Sequence, residues 1–343
     1  MNPGLVDVHT HVVPERFPDL AARYPYDRWP SMRPTGPGTA ELLVGGAHFR
    51  DVDERCWSTG RRRADMRAED VDIQVLSPTP VTFCYRAPVE GARELARWQN
   101  DVITEMVADD PEHFRALGAV PLQDPESAVA ELRRCVDELG FLGVEIGTTV
   151  GGRELDDPAF RPFFAAAEAA GALVLLHPDE IVAAPRVVPR GLAFGVGIPG
   201  ETLFASAALL AAGVFDRWPD LLLCLAHGGG ALPMVLPRID EGWRLGGAPP
   251  PAGSARRPGS YAGLLYSDSL TYDAASLALS VHRFGANHVL LGTDYPFVAR
   301  ASPAGKVLAG AADALDPATI EAIGGASARR LFDRICQSST IPR

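Results

Sequence analysis

Lysine is nearly missing from this chain. Lys306 is the single one among 343 residues, so almost all cationic charge is arginine. Arginine suits carboxylate recognition, although a compositional preference explains most of these arginines more simply. Positive charge is also short overall, with a formal net charge of −11. That excludes a general affinity for nucleic acid or an anionic membrane, and an anionic substrate would need a local cationic pocket. Cysteine is sparse: Cys56, Cys84, Cys135, Cys224 and Cys336 form no C-x-x-C pair, and their number is odd. Reduced thiols in a cytoplasmic protein follow from that pattern. There is no run of about 18 apolar residues, so no membrane span is expected. The first residues lack the basic-then-apolar pattern of a signal peptide. With no G-x-G-x-x-G after the first strand and no Walker motif, a nucleotide fold has no support. No internal repeat stands out.

What is present is ordinary globular material, 47% hydrophobic and 22% charged, enough for a sizeable core. The length allows two domains, but α/β barrels of this size run as one. The chain therefore reads as a single unit over 1–343.

Its most informative stretch is Val6-Asp7-Val8-His9-Thr10-His11. Val6 and Val8 alternate with Asp7 and His9 as on a strand. Residues two apart on a strand point the same way, so His9 and His11 leave its end together. Two imidazoles aimed together begin a metal site.

A stretch rich in Pro, Gly, Arg and aromatics follows over 14–63, with short strand-like pieces at Glu41 to Val44 and Ala47 to Val52. It is too long for a simple connection and reads as an insertion, a small sheet covering the site. Regular alternation then begins. Strands are expected at Asp72 to Leu76, Arg115 to Val120, Gly143 to Ile146, Ala172 to Leu176, Leu221 to Ala226, Leu264 to Ser267 and His288 to Leu291. Helices are expected at Glu90 to Ala108, Pro125 to Leu139, Pro158 to Ala169, Glu201 to Phe215 and Ala274 to Arg283, then from Ala304 and Pro317. Asp124 before Pro125 is an N-cap with proline at the first helical position. Several strands are wholly apolar, as in a parallel sheet buried on both faces. Eight β/α units imply a (β/α)8 TIM barrel, with a doubly wound open sheet as the alternative.

Reacting groups in such barrels sit at the C-terminal strand ends. Those ends carry His9 and His11 on the first strand, His177 on the fifth, His227 on the sixth and Asp294 on the eighth. One histidine at a strand end is usually a satisfied core residue, but five such groups at four ends are a site. Catalytic zinc takes three or four N and O ligands and keeps a position for water. His9, His11, His177 and Asp294 fill that role. His227 is left as the proton carrier, able to orient a metal-activated water and take its proton. Asp294 can also shuttle a proton while bound to the metal.

His9-Thr10-His11, Leu176-His177-Pro178, Ala226-His227-Gly228-Gly229-Gly230 and Gly292-Thr293-Asp294-Tyr295-Pro296-Phe297 resemble the amidohydrolase superfamily. More closely, the chain resembles the 2-amino-3-carboxymuconate-6-semialdehyde decarboxylase family. Phe49-Arg50, Glu54-Arg55-Cys56-Trp57, Leu139-Gly140-Phe141 and Gly195 to Glu201 extend the similarity over nearly the whole chain. The resemblance implies a barrel with one divalent metal, usually Zn2+, non-oxidative removal of carboxylate as CO2, and a homodimer. By motif, His9, His11, His177 and Asp294 match its ligands, and His227 its catalytic histidine. Arg50 matches an arginine that holds the substrate carboxylate, a task suited to a guanidinium fork. The two-metal relatives use a modified lysine on the fourth strand. Lys306 lies after strand eight and cannot take that place. Glu145, on strand four, reads as a structural residue inside the barrel rather than a second bridge.

Several substrate-facing positions depart from the family. Asp179 stands where a bulky aromatic is usual, and Phe194 stands for a tryptophan. Phe297 closes the last motif beside them. A second carboxylate-binding arginine comes from the neighbouring subunit in the family. Its position here is Gly246, with Arg244 two residues earlier and Arg238 on the preceding helix. The leading reading is a decarboxylase of an unsaturated or aromatic carboxylic acid. The alternatives are a metal-dependent hydrolase of an amide, lactone or ester, and a catalytically silent dimeric scaffold.

Overall fold

The computed structural model describes residues 4–181, 183–246 and 256–338. β1 (Leu5–Val12) is followed by β2 (Pro30–Gly36), β3 (Thr39–Val44) and β4 (Ala47–Asp53), which pair antiparallel in a small sheet of their own. The main set continues with β5 (Val71–Pro78), β6 (Phe114–Ala119) and β7 (Gly143–Ile146). A two-stranded hairpin, β8 (Thr149–Val150) and β9 (Arg153–Glu154), interrupts it. It ends with β10 (Leu173–Leu176), β11 (Leu222–Leu225), β12 (Tyr266–Asp268) and β13 (Val289–Leu290).

Among the described residues these form one eight-stranded parallel sheet, ordered β1-β5-β6-β7-β10-β11-β12-β13. Its two ends meet. Thr10 bridges Tyr295, Val8 N–H donates to Leu291 O at 2.9 Å, and Asp294 N–H donates to His9 O at 2.9 Å. The chain is a (β/α)8 barrel, as the strand pattern predicts.

Alternation divides each strand between two cores. Val75, Leu117, Leu173, Leu175, Leu222 and Leu290 pack together inside the barrel, and Leu331, Phe332 and Ile335 of helix Ser327–Ser338 close that core. Their neighbours Val144, Val174, Leu223 and Val289 pack outward with helical residues such as Ile103, Leu132 and Phe163. Because both faces of these strands are buried, they read as unbroken apolar runs.

Three expectations shift. Helix Thr59–Ala68, capped by the Ser58 side chain on Arg61 N–H, is the first crossover of the barrel. The 14–63 boundary cuts through it, because its inward face carries Arg62 as well as Met66 and so lacks an apolar period. The helix expected over Glu201 to Phe215 is two, Ile198–Ala211 and Val214–Arg217, separated where Gly213 takes φ +67°. One helical stretch, 193–211, is apolar and long enough to cross a membrane by composition alone. Ala205, Leu209 and Leu210 pack one face of it on the outer core, while Val196 and Phe204 on its other side are exposed.

Candidate metal centre

The register of β1 aims its histidines. Asp7 pairs with Gln74 of β5, but Thr10 pairs with Leu76. Three steps on one strand thus meet two on the other, which is a β-bulge. Val6 and Val8 face the inner core. The extra residue reverses the alternation, so His9 and His11 also turn inward instead of falling on the opposite face. His177 continues the inward parity of Leu173 and Leu175.

Donor atoms of His9, His11, His177 and Asp294 all lie within 4.8 Å of one another. His9 Nε2 is 3.1 Å from His11 Nε2, which is 3.1 Å from Asp294 Oδ1. Each imidazole spends its other nitrogen on an acceptor. His9 Nδ1 meets Asp268 Oδ2 at 2.6 Å, His11 Nδ1 meets Pro78 O at 3.2 Å, and His177 Nδ1 meets Pro178 O at 2.9 Å. Such partners place the proton on Nδ1 and leave the Nε2 lone pair for a metal. His177 Nε2 is buried with no hydrogen-bond partner, which a cation would satisfy. Three imidazoles and one carboxylate fit a divalent metal. The cluster can hold a divalent metal.

Asp268 escaped the sequence reading, which ended strand seven at Ser267. It is fully buried and also accepts from His227 N–H at 2.8 Å, Gly228 N–H at 2.7 Å and Leu270 N–H at 2.9 Å. Its signal was a carboxylate one residue past an expected strand end. Gly292 makes room for the contact, since a Cβ there would stand 2.7 Å from the Asp268 Cβ and 2.8 Å from the His9 Cβ. Burial alone would pull the His9 imidazole down, but the Asp268 hydrogen bond and charge, with Asp294 and Glu145, raise it to about 9. Burial would raise Asp294, but His11 and the other imidazoles hold it below the ordinary carboxylate range.

His227 stands beside the four, its ring centroid 4.8 Å from that of His177 and 5.3 Å from that of His9. Burial, then the charge of His9, lowers it to about 4, so it is neutral at pH 7. His227 and Asp294 both hold left-handed backbone, at φ +58° and +67°, an uncommon conformation that clusters at functional sites.

An amidohydrolase family profile matches residues 6–334. The 2-amino-3-carboxymuconate-6-semialdehyde decarboxylase of Dictyostelium discoideum is 40% identical over 292 residues, covering 85% of this chain and 81% of that protein. The chain belongs to this decarboxylase family of the amidohydrolase superfamily. Membership places it among the superfamily's carbon–carbon lyases. Two solved structures share its fold at 26% identity and a TM-score of 0.78. One is the dihydroxybenzoic acid decarboxylase of Polaromonas sp. JS666 with bound manganese and 2-nitroresorcinol, covering 97% of each chain. The other is the 5-carboxyvanillate decarboxylase of Sphingomonas paucimobilis, covering 96% of this chain and 99% of that one.

In a decarboxylase of this family the groups around the metal set must hold an acid. The Arg50 guanidinium, on β4, lies 4.0 Å from the Phe297 ring centroid, and Phe297 stacks on His11 at 5.4 Å. Ala40, Leu42 and Val52 of the inserted sheet pack with Val13 at the end of β1 and with Phe297. That packing sets the sheet at the C-terminal mouth of the barrel. Asp179 lies at the same mouth, two residues past His177, and burial with the Glu180 charge raises its carboxyl to about 8. Phe194 is half exposed, 5.9 Å from Tyr272, and shares with His227 a cavity of about 260 Å³. Arg244 is not brought to these residues. It is exposed at the end of helix Leu232–Arg244 and bonded to Glu241 at 2.9 Å. Arg238 on the same helix is exposed, and Gly246 follows the helix end. Glu145 is fully buried, 4.0 Å from His11 Nδ1.

Proposed function

We propose that this chain is a metal-dependent, non-oxidative decarboxylase of an aromatic or unsaturated carboxylic acid, with zinc as its cation. The observation that carries the reading is the cluster of buried His9, His11 and His177 with part-buried Asp294, and neutral His227 at 4.8 Å from His177. When bound, the divalent cation supplies Lewis acidity, polarising an oxygen or acidifying a water. Arg50 anchors the substrate carboxylate by its guanidinium fork. Phe297 offers an apolar face between Arg50 and His11. His227 orients a water and takes its proton, with Asp268 fixing the His227 backbone. A proton delivered by Asp294 or His227 to the carbon bearing the carboxylate prepares the bond to break. The C–C electron pair stays on the substrate carbon and CO2 leaves.

The named activities of the relatives support aromatic and muconate acids as substrates. Three imidazoles support zinc, although the Polaromonas relative binds manganese. We also place the protein in the cytoplasm, supported by five free cysteines, and read it as a homodimer. Val196, Phe204, Met234 and Leu245 are large, apolar and exposed, in keeping with a protein surface. Met234 and Arg238 share one face of helix Leu232–Arg244, with Leu245 just past its end, and a homodimer built on that face would take Arg238 into its interface.

The test is CO2 release by zinc-loaded protein offered 2,6-dihydroxybenzoate, 5-carboxyvanillate and 2-amino-3-carboxymuconate semialdehyde. Release from at least one acid is the expected result. No release from any acid, with hydrolysis of a lactone instead, would overturn the reading.

A further inference from the structure

On β7, Val144 and Ile146 pack outward, so Glu145 faces the barrel interior, and it lies 4.0 Å from His11 Nδ1. Residue 147 shares that inward face one step further toward the mouth. It is glycine, and another group fills the space its side chain would take. A Cβ on Gly147 would collide with Asp179 Oδ1, and would stand 2.7 Å from Asp179 Cγ and 2.9 Å from the Tyr85 ring. The Asp179 carboxyl thus occupies the inner wall of the barrel, one layer above Glu145 and two residues past the ligand His177.

Asp179 Oδ1 is buried and has no hydrogen-bond partner. No ion pair is formed by Asp179 among the described residues. The neighbouring Tyr85 hydroxyl accepts Gly147 N–H at 3.3 Å. Buried carboxylate oxygens are almost always satisfied, because leaving one without a donor costs a substantial part of its hydration. Among the described residues no hydrogen bond reaches that oxygen, and it lies on the barrel wall beside Gly147, two residues past His177.

We propose that Asp179 is a specificity residue whose Oδ1 accepts a hydrogen bond from a hydroxyl or amino substituent of the substrate. The class taken is then hydroxylated or aminated acids rather than bare benzoates or alkenoates. The substituent discriminates strongly because its absence leaves the carboxyl unpaired. The assignment rests on the decarboxylase reading only in treating the ligand as an acid, and its test separates the two.

Calorimetry with metal-loaded protein compares 2-nitroresorcinol with nitrobenzene, neither of which can lose CO2. In parallel, CO2 release compares 2,6-dihydroxybenzoate with benzoate. The wild type is expected to favour each hydroxylated partner. Asp179→Ala should cut that preference about tenfold, the size of one lost buried hydrogen bond. Gly147→Ala should do the same by displacing the Asp179 carboxyl, since its backbone lies outside the left-handed region. Asp179→Asn, which still accepts, should retain the preference. Bound metal is matched across variants. An unchanged preference in both alanine variants overturns the assignment, as does an equal loss for hydroxylated and bare ligands. If no acid releases CO2, the decarboxylase reading falls and calorimetry still decides the role of Asp179.

Discussion

A metal-ligating imidazole works only if its second nitrogen is held. Asp268 does this for His9 from full burial at 2.6 Å, and its other contacts carry the same carboxylate to the backbone of His227. Asp268→Asn keeps the shape and removes the charge. Metal affinity should fall about 10- to 100-fold, read by competition with a chelator of known affinity. His227 poses the complementary case, since it lies beside the ligand set without joining it. His227→Ala should retain one metal per chain while kcat falls about 10²- to 10⁴-fold, the usual range for a lost proton carrier. Metal retained with full activity would remove the role. The metal-facing residues were legible because residue type and strand end coincide at four places in the chain. Asp268 was not, because β12 is three residues long and mixes Tyr, Ser and Asp, so its end has no apolar edge to mark it. Asp179 could be read as unusual, but its direction comes from Gly147, which lies thirty-two residues away in sequence.

Elements were legible where one face is apolar and obscure where polar groups are buried. Strand periods located the barrel, yet the period of two also placed His9 and His11 opposite Val6 and Val8. The bulge between Asp7 and Thr10 cancels that, and its register is set by β5 rather than by local sequence. The unmarked helix Thr59–Ala68 buries Arg62, whose guanidinium donates to His11 O and lies 5.0 Å from the Tyr295 ring. At the end of that helix, Glu69 ties it to the loop after β13. It accepts from Arg300 at 2.6 and 3.0 Å and from Ala304 N–H at 2.6 Å. Burial would raise this carboxyl, but Arg300 and Ala304 N–H hold it below its ordinary 4.5. A depressed carboxyl stabilises the fold fully above its unfolded value, and the contribution is lost as pH falls through the folded value. Glu69→Gln should therefore lower Tm at pH 7, and the gap to the wild type should close as pH falls from 5 to 3. A gap that stays constant over that range would show that the charge contributes nothing.

At the scale of the molecule, the ligands come from β1, from the end of β10 and from the loop after β13. These lie at separate places round the sheet, with β5, β6 and β7 between β1 and β10, and β11 and β12 between β10 and β13. A cation held by all three clamps the barrel across its mouth and across the junction where β13 returns to β1. Between those last two strands closure rests on few bonds, such as Thr10 with Tyr295 and Val8 with Leu291. Because the unfolded chain cannot gather the four donors, binding free energy becomes folding free energy. Free metal at about 100 times Kd adds about 2.7 kcal/mol. Chelation should thus lower Tm by several degrees, and Tm should climb with added zinc. In His177→Ala, which lacks the ligand from β10, the climb should be much smaller. Hydrogen exchange should localise the difference, with the amides of Val8, His11 and Asp294 at the β1–β13 junction losing most protection on chelation. Equal protection with and without metal would mean that the junction closes by its own hydrogen bonds and the cation serves chemistry alone.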